Sequence, residues 1–120
     1  MNYVLSNTGQ NTSSDAETVT VLEVEIPDES FGVVSVDVTA AEEDGYVYGF
    51  QNSYLVSVDS SVCTIRDDKA PPIELDPGAF GTSVIIDTNG QNFRVQGVGT
   101  VGYDLVWGAH IKTLLHERSP

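Results

Sequence analysis

The sequence predicts an all-β protein: an antiparallel β-sandwich or small barrel, jelly-roll-like or immunoglobulin-like, of about seven or eight short strands. Three observations predict it. Apolar and polar residues alternate with a period of two through most of the chain. Clusters of Gly, Pro, Asn and Asp interrupt the alternation at short, fairly regular intervals. No window offers the sustained three-and-four spacing of apolar residues that an amphipathic helix needs.

The elements come in order. Residues 6–18 are almost devoid of apolar side chains and read as a flexible arm, with Tyr3-Val4-Leu5 as a short apolar hook ahead of them. The expected organisation is therefore a flexible N-terminal arm over 1–17 and a single β-sandwich domain over 18–120. From Thr18 the pattern is β. Val19 and Val21 share one parity and Leu22, Val24 and Ile26 the other, so a bulge is expected between Val21 and Leu22. Pro27 to Ser30 turns the chain. Val34, Val36 and Val38 then point inward, and Glu42 to Gly45 closes a hairpin on its Asp-Gly pair.

Tyr46 to Val58 is the most regular segment, long enough for one bent strand or two meeting near Gln51–Ser53. Val62 to Arg66 is a shorter strand. Asp67 to Gly81 is a loop carrying Pro71, Pro72, Pro77 and Gly78. Val84 and Ile86 resume β structure, Asn89-Gly90 makes a tight turn, and Phe93 and Val95 mark the next strand. Tyr103 to His116 alternates to the end, with a short helical turn near Ile111–Leu115 as the one other reading.

Composition narrows the function. A chain of 120 residues, 40 % hydrophobic and 19 % charged, is one domain's worth of globular protein. Its formal net charge of -13 leaves no electrostatic footprint for nucleic acid. The charge is segregated: residues 1–60 hold 11 of the 18 acidic side chains and none of the cations, which are Arg66, Lys69, Arg94, Lys112 and Arg118. Such a distribution suits either a solvated acidic face or docking on a partly basic partner. No run approaches the ~18 apolar residues of a membrane span. Met1 to Ser6 lacks the basic and apolar regions of a secretory signal, which predicts synthesis in a host cytoplasm. Cys63, the single cysteine, is expected to be a small buried apolar residue.

Several motifs tempt and fail on context. Gly97 to Gly102 spells G-x-G-x-x-G, but the residues after it alternate as a strand where a dinucleotide site needs a helix. Asp87 to Asn92 begins like a calcium loop, yet its glycine comes fourth and position twelve is Val98. His110 and His116 share one strand parity about 20 Å apart, too far to hold one ion. No metal, cofactor, catalytic residue or small-molecule substrate is expected, and the chain does not read as an enzyme. A hydrolase would need a polar cleft uniting a histidine with a carboxylate, for instance His110 and Asp104 with a serine. The stripe Tyr46, Tyr48, Phe50, Tyr54 reads either as core or as a tyrosine-rich interface.

Val21-Leu-Glu-Val-Glu-Ile-Pro-Asp-Glu-Ser-Phe-Gly-Val-Val-Ser-Val-Asp-Val38, with Tyr103-Asp-Leu-Val-Trp-Gly-Ala-His-Ile111 much later in the chain, resembles small β-rich virion proteins of tailed bacteriophages. The resemblance covers roughly residues 18–116 and rests on strand texture and two short blocks. It implies a virion structural protein, in the first place a head decoration (cement) protein. Such a protein would form a homotrimer and bind the major capsid protein, with neither nucleic acid nor membrane as partner. On that reading the interface residues are Tyr3, Val4 and Leu5, then Tyr46 and Tyr48. A tail- or fibre-associated module, or a carbohydrate-binding β-sandwich, is the alternative; the latter predicts an exposed Tyr/Trp patch.

Overall fold

The structure, a computed structural model, describes residues 2–42, 45–67, 73–75 and 82–118, and their side chains except at positions 2, 3, 67, 74 and 75. Nine strands run through these residues: β1 (Asn2–Ser14), β2 (Thr18–Glu25), β3 (Ser30–Ala41), β4 (Val47–Asp59), β5 (Val62–Asp67), β6 (Ile73–Leu75), β7 (Ser83–Asn89), β8 (Asn92–Val98) and β9 (Asp104–Glu117). Two antiparallel sheets result, one of order β1-β9-β3-β4-β5 with β6 also paired to β4, the other β2-β8-β7. The protein is an all-β sandwich.

The expectation of short strands is corrected for the larger sheet, where β1, β3, β4 and β9 run 12 to 14 residues. Thirteen residues of strand extend about 43 Å. That length explains the elongated molecule, 51 × 23 × 20 Å. Of Tyr46 to Val58, all but Tyr46 lie in one continuous strand, and the Ile111–Leu115 region is strand throughout. The expected bulge is present, with the β2–β8 register shifting between Thr20 and Leu22. The Asn-Gly hairpin forms one residue later than expected: Asn89 pairs with Asn92, and Gly90, at φ 61°, begins the two-residue turn.

A second correction concerns the N-terminus. The segment expected as a flexible arm is β1, paired with β9 from Asn2↔His116 to Ser14↔Asp104. Its inward positions are largely polar because they serve specific partners. The buried Ser13 hydroxyl accepts the indole N–H of Trp107 at 2.9 Å, and Asn11 Nδ2 donates to the Thr20 carbonyl at 2.9 Å.

Between the sheets lie the inward rows of β3, β4 and β9. Val34, Val36, Val38, Val56, Val58, Leu105, Ile111 and Leu115 are all essentially buried. The aromatic stripe belongs to this core. Tyr48 is 1 % exposed and meets Trp107 edge-on at 6.3 Å, while Tyr54 packs on Phe93 at 5.7 Å. Trp107 itself lies against Gly97, where a Cβ would fall 2.5 Å from the indole ring. The G-x-G-x-x-G run is thus a packing surface leading into a turn, in which Gly102 sits at φ 89°.

Candidate interaction surface

Strand alternation decides what the larger sheet shows to solvent. Even positions of β3 and β4 and odd positions of β9 and β1 face the core, so the complementary set forms the outer face. Strict alternation would make that face polar. It is broken where two apolar residues stand side by side, because one of them must point outward. The doublets are Val4-Leu5, Val33-Val34, Leu55-Val56 and Leu114-Leu115.

Register places the outward members in one line. Val4 pairs with Leu114, Leu114 with Val33, and Val33 with Leu55, so an apolar row crosses β1, β9, β3 and β4. The four are 64 %, 50 %, 41 % and 43 % exposed respectively. Phe31, 42 % exposed and in ring contact with His116 at 5.5 Å, adds to one flank. Ser6, Lys112, Ser35 and Ser53 form the other flank. About 26 Å away along the strands, Val47, Ala41 and Val106 form a shorter band.

This face is also poor in charge. Of 18 acidic residues in the chain, only Asp37, Asp59 and Asp104 occupy outward positions of these four strands, against one cation, Lys112, and the two histidines. Depletion of charge around an apolar centre is the compositional mark of a protein interface. The other described cations are tied to carboxylates: Arg94 makes a two-pronged pair with Asp87 at 2.8 Å, and Arg118 and Arg66 both reach Asp59 at the end of this face. The Arg94 guanidinium holds the Asp87 carboxyl below its ordinary value.

The expected interface residues divide. Val4 lies in the row. Leu5, its neighbour, faces inward and packs against the core. Tyr46 is partly buried against the same core, and Tyr48 is buried outright, so the latter is corrected to a core residue. The Tyr3 side chain lies outside the described residues. Val33, Leu55 and Leu114 were missed because their alignment depends on register, although each doublet is visible in the sequence.

One polar cluster lies in the middle of the face. Ser6 Oγ is 2.7 Å from His110 Nε2, and Asp37 Oδ2 is 3.9 Å from His110 Nδ1. Asp104, the carboxylate that sequence reasoning set beside His110, lies six residues along β9, about 20 Å away. The order serine–histidine–aspartate is that of a hydrolase, but the geometry differs from one. The carboxylate is beyond hydrogen-bond range of the ring, and both side chains are well exposed, at 40 % and 54 %. Beneath them β3 and β9 are paired on both sides, so their amides are engaged in ladders rather than converging on an oxyanion. Next to the cluster, Gly108 leaves a shallow depression between Thr39 and Gln10.

No protein-family model matches the chain, and no curated protein does. Among solved structures, the tailspike protein of Acinetobacter baumannii phage AM24 aligns over 92 % of this chain and 26 % of its own, with a TM-score of 0.51 and 9 % identity. Tailspike gp49 of Acinetobacter baumannii bacteriophage Fri1, a capsular polysaccharide depolymerase, aligns over 92 % of this chain and 17 % of its own, with a TM-score of 0.48 and 12 % identity. The chain thus spans about a quarter or less of either tailspike. What the AM24 tailspike shares with it is the fold of this β-sandwich.

Proposed function

We propose that this chain is a non-enzymatic β-module of a tailed-phage virion, associated with the tail or its fibres, which docks on another virion subunit through the outer face of its larger sheet. The observation that carries the docking is the row Val4, Leu114, Val33, Leu55, set in a face that holds few of the chain's charges. Burying four half-exposed aliphatic side chains is a favourable step with no reactive group required. The fold shared with the AM24 tailspike supports the tail setting.

Head decoration is the weaker reading. It drew on a free N-terminal arm to lace onto neighbours, and those residues are a strand of the sheet. Glycan binding is also less favoured. Sugar sites present aromatic rings to solvent, whereas Trp107, Tyr48 and Tyr54 are buried here. The test is to separate virions carrying this chain into heads and tails and to follow its peptides by mass spectrometry. Recovery with tails supports the reading, and recovery with heads overturns it.

A further inference from the structure

The edges of the two sheets are not equally protected. Exposed strand edges invite pairing with other chains, and proteins blunt them with charges, bulges, prolines or covering segments. At one end of the larger sheet, β5 carries Arg66 and Asp67 and meets β4 through a register shift. In the smaller sheet, β7 carries the Asp87–Arg94 ion pair, and β2 carries Glu23 and Glu25. β1 differs from all of these. It is 13 residues long, has no charged side chain and no proline, and pairs only with β9 among the described strands.

Half of β1 is covered in another way. Around Gly9 and Asn11 the chain of β2 lies alongside: Asn11 donates to the Thr20 carbonyl, and a Cβ on Gly9 would sit 2.3 Å from the Val21 carbonyl. Over Asn2 to Thr8 the strand is hydrogen-bonded on one side only, to β9, among the described strands. We propose that this seven-residue edge is a self-association site, where a second copy of the chain adds its own Asn2–Thr8 antiparallel about a two-fold axis.

Three observations single out a second copy as the occupant. First, antiparallel pairing makes a strand its own complement, as a two-fold interface demands. Second, a chain of net charge -13 repels its copies, and this edge is where two of them meet with no acidic side chain in the pairing strands. Third, pairing in one plane keeps even positions with even ones. The register that overlaps all seven residues then sets Leu5 opposite Leu5, and Val4 opposite Ser6 of the other copy. The outer faces stay on the same side, so the two apolar rows end next to one another at the joint.

Size exclusion with light scattering on the full chain tests this, using Ser6→Lys and Ser6→Glu. Both replace an outward side chain of the edge and leave the apolar row intact. The wild type is expected to be a dimer. Each variant should dissociate roughly tenfold more readily, since like charges meet diagonally across the axis, and an equimolar mixture of the two should restore dimers. Leu114→Lys, which damages the row but not the edge, should remain dimeric. This separates the present inference from the docking reading. A wild type that stays monomeric at hundreds of micromolar, variants that dimerise like the wild type, or a mixture that fails to restore dimers would each overturn it.

Discussion

The carboxylate of Asp28 accepts the backbone N–H of Ser61 at 2.8 Å, joining the β2–β3 turn to the β4–β5 turn. Glu29 repeats the contact on the Ser60 amide at 3.1 Å. Glu29, Ser60 and Ser61 all have positive φ, at 54°, 50° and 63°. Non-glycine residues hold that conformation at some cost, so the two carboxylates offset strain at a corner where the sheets meet.

Asp28→Ala should therefore lower the Tm by a few degrees, roughly 2–5 °C, in thermal unfolding at neutral pH. The amide of Ser61 holds the Asp28 carboxyl below its usual 3.8. A lowered folded-state value means that the stabilisation is complete above the unfolded value and is lost as the pH falls through the folded one. The wild-type advantage over Asp28→Ala should stay constant down to pH about 4 and shrink below it. A difference that grows on acidification would contradict the clamp.

Trp107 gives a second prediction. Its N–H has one neutral acceptor, the buried hydroxyl of Ser13, and its ring lies flat on Gly97. Ser13→Ala leaves a buried donor unpaired and should cost about 1–3 kcal/mol. Gly97→Ala forces a methyl group into the indole and should cost about 1–3 kcal/mol or more. Urea unfolding monitored by fluorescence of Trp107, the single tryptophan, measures both.

Cys63 is 2 % exposed, and burial pushes its thiol above the ordinary 9.0. Ellman's reagent at pH 8 should react with it only as fast as the domain opens, and promptly in denaturant. Rapid labelling of the native protein would place the thiol at the surface.

Ser6 should behave as an ordinary surface serine. A fluorophosphonate probe is expected to leave it unmodified, because neither a locked histidine nor an oxyanion site assists it. A stable adduct on Ser6 that disappears in His110→Ala would contradict the non-enzymatic reading.

Much of this fold is legible in the sequence, because core-facing valines and aromatics at period two specify which face each strand buries. The Thr20–Leu22 bulge arises from that pattern alone, whereas the pattern over Tyr46–Val58 leaves one long strand or two open and the structure holds one. β1 escapes it. Its inward positions include Asn7, Gly9, Asn11 and Ser13, and the last three are there for backbone approach and side-chain hydrogen bonds rather than apolar burial. The interaction surface is half legible. Each apolar doublet announces one outward side chain, but only the register of four strands, two of them from opposite ends of the chain, brings Val4, Leu114, Val33 and Leu55 into line.

The most direct test of docking through this row uses virion particles depleted of the chain, to which wild type or Val33→Lys/Leu114→Lys is added back. Both substituted positions are half-exposed and lie directly opposite each other, so the like charges should lower stability by about 1–2 kcal/mol while leaving the variant folded. It should bind the particles at least tenfold more weakly, as expected when two lysines replace the apolar centre of an interface. Binding of the folded variant at wild-type strength would contradict the proposed docking surface.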